Sequence, residues 1–178
     1  DLLGRGQIRT LRGFLEQAGE AATTDSACAL GWGWCEYLSS HYDSAKRWLD
    51  VALDVAPASF DPVITAPLHI NLALGSGDVA TALECARIAT VGGDLWKRPA
   101  ELATAVGAAY AWAGMHDEAR EALTIAVARC KSEQRLTAHI LTLVYAAIDE
   151  VEQGDKAAAH AAASEAVATA ESFGLANY

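Results

Sequence analysis

Apolar residues recur at intervals of three and four along nearly the whole chain, the spacing of one face of an α-helix. The runs are broken at Gly4-Arg5-Gly6, Ser39-Ser40-His41, Gly75-Ser76-Gly77-Asp78, Gly114-Met115-His116-Asp117 and Gly154-Asp155. No segment alternates with period two for long enough to form a strand. The pattern predicts roughly nine helices. A lone helix lies near 7–18, followed by pairs near 26–39 with 43–55, 64–75 with 78–91, 99–113 with 117–130, and 134–153 with 155–172.

The helical text itself repeats. An alanine or leucine is followed four residues on by a second apolar residue and three later by alanine: Leu11, Leu15, Ala18; Ala45, Leu49, Ala52; Ala82, Ala86, Ala89; Ala119, Leu123, Ala126; Ala159, Ala163, Ala166. The first members, at positions 11, 45, 82, 119 and 159, are 34, 37, 37 and 40 residues apart, the period of a helix–turn–helix repeat. Alanine at fixed positions lets the two helices of a pair approach closely, and the next pair buries the remaining apolar stripe. Asp78, Asp117 and Asp155 follow turn glycines, where a carboxylate caps or charges the start of the second helix. Pro57, Pro62 and Pro67 punctuate one longer connection. Gly92-Gly93-Asp94 leads to Pro99 in the next, and Pro99 is expected in the first helical turn.

Charge narrows the partners. Thirteen Lys and Arg against 23 Asp and Glu give a net charge of −10, an inventory from which a phosphate-neutralising surface is hard to build. Direct nucleic-acid binding is therefore not expected. The uncharged stretches Leu102–His116 and Leu136–Ile148 are shorter than a membrane span of about 20 residues. Cys28, Cys35, Cys85 and Cys130 show no metal-ligand or redox spacing and read as core residues in a reducing compartment. With no leader at Asp1, a cytoplasmic location is expected. Met115 is the one methionine, and the 178 residues read as a single repeat domain cut from a longer multidomain protein.

Little in the chain points to catalysis. Gly4-Arg5-Gly6 and Gly75-Ser76-Gly77 lack the span and lysine of a phosphate loop. His41, His69, His116, His139 and His160 fall in different units with no nucleophile elbow. Asp149 with Glu150, and Glu118 with Glu121, have the spacing of a solvated helical face. Lys97-Arg98 beside Trp96 reads as a loop. Arg5, Arg9 and Arg12 form a positive stripe on the first helix, expected to face a neighbour preceding it. No enzyme activity, cofactor or metal is expected.

The repeat text resembles the tetratricopeptide family. Gly107 and Tyr110, Gly114 at the turn, then Ala119 and Leu123 match its pattern, and Gly33, Tyr42, Ala45, Leu49, Ala52 and Pro57 match it in the second unit. Tyr37 stands one position late, Ser40 replaces the turn glycine, and Ala86 and Ala163 occupy slots meant for larger residues. The resemblance implies an all-α, right-handed superhelix of about four and a half hairpins. A narrower likeness comes from Gly6-Gln7-Ile8-Arg9-Thr10-Leu11-Arg12-Gly13-Phe14-Leu15-Glu16, Ala29-Leu30-Gly31-Trp32, Tyr42 to Leu49 and Ala166 to Leu175. These are similar to the repeat region of the MalT-type large ATP-binding LuxR-family transcriptional regulators. In that family a nucleotide-binding switch precedes the repeats and a helix-turn-helix follows, and the repeats sense an inducer or hold a regulatory protein.

Within one predicted helix Trp34 and Tyr37 share a face distinct from that of Trp32. The tetratricopeptide likeness implies that first helices line a concave surface. It places Leu30, Trp34 and Tyr37 there, with Asn71 and Leu74 from the third unit and Glu101, Thr104, Ala108 and Trp112 from the fourth. Trp34 with Tyr37 suits a sugar ring or a peptide side chain, Asn71 a backbone group or hydroxyl, and Glu101 a donor. The alternative is that Trp34 and Trp112 only fill gaps left by alanine-rich helices.

Overall fold

The residues that interrupt the hydrophobic pattern set four equivalent turns. The backbone N–H groups of His41, Asp78, Met115 and Asp155 donate to the carbonyls of Glu36, Ala73, Tyr110 and Glu150, each at 2.9 Å. The residue before each donor is left-handed: Ser40 at φ 61°, Gly77 at 78°, Gly114 at 72° and Gly154 at 83°. This closure satisfies the last carbonyls of the first helix and reverses the chain. Asp78 and Asp155 then cap the second helix: Asp78 accepts from the Thr81 N–H at 3.0 Å, and Asp155 from the N–H groups of Ala157 and Ala158 at 3.1 and 2.9 Å. The Thr81 hydroxyl and N–H on its carboxylate hold the Asp78 pKa below the ordinary value. Asp117 differs, lying inside the first turn of its helix, where its charge faces the helix N-terminus.

The structure, a computed structural model, describes Leu2 and residues 7–56 and 61–174. The Gly4-Arg5-Gly6 break, Arg5 of the basic stripe, Pro57 and Leu175 lie outside the described residues. Among them are nine α-helices: α1 (Ile8–Ala18), α2 (Ser26–Leu38), α3 (Tyr42–Asp54), α4 (Ala66–Gly75), α5 (Val79–Thr90), α6 (Ala100–Trp112), α7 (His116–Glu133), α8 (Leu136–Glu152) and α9 (Lys156–Ser172). The described residues contain no strand. Pro99 immediately precedes α6 in an extended conformation and does not enter its first turn. Helix α7 runs three residues beyond its expected end, to Glu133, where Gln134 adopts φ 56° and the Arg135 N–H closes the turn on the Cys130 carbonyl at 2.9 Å.

Consecutive helices pack as antiparallel pairs, α2 with α3, α4 with α5, α6 with α7 and α8 with α9, while α4 lies against α6 and α6 against α8. The repeated alanines are where the pairs close: Ala45, Ala52, Ala82, Ala86, Ala89, Ala119 and Ala126 are buried. Gly107 shows how close the approach is. A β-carbon built there meets the Leu123 side chain at 2.7 Å and its backbone nitrogen at 3.2 Å. The two residues that match the repeat pattern most closely in this unit are thus in direct contact. Ile70, Leu102 and Val106 form the fully buried centre between α4 and α6, while Leu68, on another face of α4, is buried against α2 and α3. All four cysteines are free thiols, Cys35 and Cys130 buried, Cys28 and Cys85 partly so.

Candidate functional site

Helices α2, α4, α6 and α8, the first members of the four pairs, turn side chains onto one shared cavity. Trp34 and Leu38 come from α2, Asn71 from α4, Glu101 and Thr104 from α6, and Thr137, Ala138 and Leu141 from α8. Its volume is about 30 Å³, room for a water molecule or two. The polar groups around it are engaged within the chain. The Thr104 and Thr142 hydroxyls are 2.7 Å apart and each reaches a carbonyl of its own helix, Ala100 at 3.0 Å and Ala138 at 2.7 Å. Glu101 faces the Arg135 guanidinium at 3.4 Å. The Asn71 amide donates to the Pro67 carbonyl at 2.7 Å and its oxygen accepts from the Tyr145 hydroxyl at 2.7 Å.

The aromatic residues close the space. Tyr37 stands one turn beyond Trp34 and does not line the cavity. Its ring meets Trp34 edge-on at 5.8 Å and 89°, and Tyr42 at 5.7 Å. Its hydroxyl lies beside that of Tyr145. Burial raises both phenol pKa values, that of Tyr145 far beyond the ordinary tyrosine range. Helices α2 and α8, a hundred residues apart in sequence, therefore meet through Tyr37, Tyr145 and Asn71. Trp112, placed in the groove by the sequence, ends α6 with 48% of its surface exposed and does not line the cavity. Trp34, Asn71, Glu101 and Thr104 are brought together, and Trp34 is only 9% exposed. Sequence reasoning missed Leu38, Thr137, Ala138, Leu141 and Tyr145. Their signal was available, since α8 opens the last pair and continues the same face.

The other face of α2 carries a separate cluster. Trp32 stacks on Trp48 at 5.7 Å and 14°, the Arg12 guanidinium lies 5.7 Å from the Trp32 ring, and Arg12 pairs with Glu36 at 2.7 Å. Arg12 therefore turns toward its own chain, a guanidinium flanked by an indole and a carboxylate being satisfied locally, while Arg9 of the basic stripe is exposed. Between α3 and the α4–α5 pair lies a cleft of about 400 Å³ reaching Asp43, Lys46, Asp50, His69 and Asp78.

Asp149 is a second correction. It is 2% exposed and not on a solvated face. The His116 Nδ1 sits 2.7 Å from one of its oxygens and the Gln153 amide donates to the other at 2.7 Å. Adjacent residues on a helix point about 100° apart, so Glu150 stays half-buried while Asp149 ties α8 to the start of α7. All four thiols are pushed upward by burial, Cys35 to about 11, the opposite of what a nucleophilic cysteine needs. His139 is buried with its Nε2 unpartnered, 3.8 Å from a Glu165 oxygen, and desolvation depresses its pKa. Lys97 lies 3.9 Å from Asp94, and the Trp96 carbonyl accepts from Arg129. Among the described residues no three His, Cys, Asp or Glu side chains are grouped to hold a metal ion, and no helix is long and apolar enough to cross a membrane. Comparison with protein-family models, with curated proteins and with solved structures finds no match.

Proposed function

We propose that this chain is the ligand-sensing or partner-binding segment of a multidomain bacterial transcriptional or signalling regulator, built as a right-handed tetratricopeptide-like solenoid. The supporting observation is the convergence of Trp34, Asn71, Glu101 and Thr104 from three successive first helices, with α8, on one internal surface. Repetition of one turn geometry at Ser40, Gly77, Gly114 and Gly154 supports the repeat reading. In this account the surface is closed by the chain's own groups, with Tyr37 and Tyr145 bridging α2 to α8. A binder that replaces those contacts shifts the population toward an arrangement with α2 parted from α8, and flanking domains read out the change. The segment has no catalytic role, takes no cofactor and contacts neither nucleic acid nor membrane.

A general protein–protein scaffold, taking a peptide or protein in the same groove, is the second reading. It is favoured by size: a cavity of about 30 Å³ is far below the roughly 300–1,000 Å³ of preformed small-molecule sites. Two measurements separate them. Reading the coding sequence on both sides should give a phosphate-loop NTPase upstream and a helix-turn-helix downstream, and finding neither overturns the regulator assignment. Melting of the chain with a panel of small metabolites should show a saturable rise that Trp34→Phe removes. No rise with any metabolite, together with peptide binding that Trp34→Phe weakens, selects the scaffold.

A further inference from the structure

The junction between one helical pair and the next occurs three times among α3 to α8, and it is sealed twice. Aligning Ala45, Ala82 and Ala119 carries Lys46 and Asp50 of α3 onto Leu83 and Arg87 of α5, and onto Arg120 and Thr124 of α7. Aligning Gly77, Gly114 and Gly154 carries His69, Leu72 and Ser76 of α4 onto Val106, Ala109 and Ala113 of α6, and onto Ala146, Asp149 and Gln153 of α8. Between α5 and α6 the seal is apolar, with Val79 and Leu83 packed on the cluster that holds Val106 and Ala109. Between α7 and α8 it is polar, His116 on Asp149 and Arg120 on Gln153. Between α3 and α4 the described residues make neither seal. Tyr42, the counterpart of His116, meets the Tyr37 ring, and Ser76, the counterpart of Gln153, donates its hydroxyl to the Ala73 carbonyl at 2.8 Å. The cleft of about 400 Å³ is the result. Its walls are helices that follow one another within the chain, so the opening comes from the residues at these positions.

The polar groups of the cleft are of both signs. Lys46 and Asp50 lie one turn apart on α3, a spacing of about 5–6 Å between β-carbons, and His69 lines the cleft from α4. Among the described residues the side chains of these three make no hydrogen bond or ion pair. Neither sealed junction carries such a pair, having Leu83 with Arg87 and Arg120 with Thr124 in its place. Leu49, Leu53, Leu72 and Ala73 supply an apolar wall beside it. A volume of about 400 Å³ with an apolar lining and a few convergent polar groups is that of a small-molecule site.

We propose that this cleft binds a free α-amino acid with an apolar side chain. Its carboxylate pairs with Lys46, its ammonium with Asp50, and its side chain covers Leu49 and Leu72. A ligand that is only cationic sets its charge against Lys46, and one that is only anionic sets it against Asp43 and Asp50. A zwitterion of short span answers both. The cleft shares no residue with the internal surface of α2, α4, α6 and α8, so the inference holds whether or not that surface takes a binder.

Isothermal titration calorimetry of the whole chain with L-leucine, L-isoleucine, L-methionine and L-phenylalanine tests it. At least one should bind saturably, with a dissociation constant on the order of 100 µM. Lys46→Met and Asp50→Asn should each weaken that amino acid at least about tenfold while helical circular dichroism is retained. The amine that lacks its carboxylate and the acid that lacks its ammonium should each bind the native chain at least about tenfold more weakly. The pairing is read from the cycle: loss of the carboxylate should cost nothing further in Lys46→Met, and loss of the ammonium nothing further in Asp50→Asn. No saturable heat with any of the four up to about 10 mM overturns the proposal, as does binding indifferent to either substitution. An amine that binds as tightly as its amino acid also overturns it, because the cleft is then a site for cations alone.

Discussion

The α2–α3 and α6–α7 pairs share the same turn closure, yet they are filled by opposite means. Between α6 and α7 the helices meet through Gly107 and buried alanines, Ala103, Ala109, Ala119, Ala122 and Ala126, with Leu123 pressed onto the Gly107 backbone. Between and around α2 and α3 the space is taken by rings: Trp32 on Trp48, Trp34 on Tyr37, Tyr37 on Tyr42. Helix α6 is held on both sides by α4 and α8, whereas α2 touches α4 only slightly and a cleft separates α3 from α4–α5. Small residues give a contact that tolerates no added atom. Large rings give a contact that rearranges at modest cost and offers apolar area to a partner. The account therefore places rigidity in α6–α7 and adaptability in α2–α3, the arm that closes on α8 through Tyr37 and Tyr145.

Substitutions break or sharpen this contrast in descending order. Trp34→Ala removes the largest buried ring of the arm and should cost about 3 kcal/mol in denaturant unfolding. A loss under about 1 kcal/mol would show that the arm refills the space. Gly107→Ala forces a methyl group into Leu123 and its backbone and should cost about 2 kcal/mol. Gly33→Ala meets the end of the Leu68 side chain at 2.7 Å, with the Ala45 carbonyl and Trp48 at ordinary contact distances of 3.5 and 3.7 Å, and should cost about half as much, so equal losses would erase the distinction. Tyr145→Phe removes the hydrogen bond to Asn71 and should cost about 1 kcal/mol, with α2 losing more amide protection than α6. Ser40→Gly relieves a left-handed serine and should raise stability by about 0.5–1 kcal/mol. The same turn position in α8–α9 gives the mirror test, because Gly154→Ala should lower stability by about 1 kcal/mol.

Most of the fold was legible from periodicity and turn chemistry. Gly77, Gly114 and Gly154 marked three turns outright. The fourth was readable only from the recurrence of the flanking text, because Ser40 takes a conformation that serine rarely adopts. The candidate site was legible in part. The tetratricopeptide likeness, laid over the repeat register, placed Trp34, Asn71, Glu101 and Thr104 on one face. It did not give the curvature that carries α2 across to α8, which depends on how successive pairs are rotated and hence on side-chain volumes summed over several helices. Tyr145 and Leu141 were missed although α8 opens the last pair and continues the same face, and Trp112, at the last position of α6, does not line the cavity. Asp149 was misread because helical spacing places a residue on a face without saying what the next helix brings to it. His116 and Gln153 make burial of that carboxylate affordable.

The most direct measurement is native-state amide hydrogen exchange resolved by helix. The account predicts that α6 and α7 exchange only through global unfolding, while α2 and α3 exchange through a smaller opening that Tyr145→Phe makes easier. Equal protection of the two pairs, unchanged by Tyr145→Phe, would contradict it.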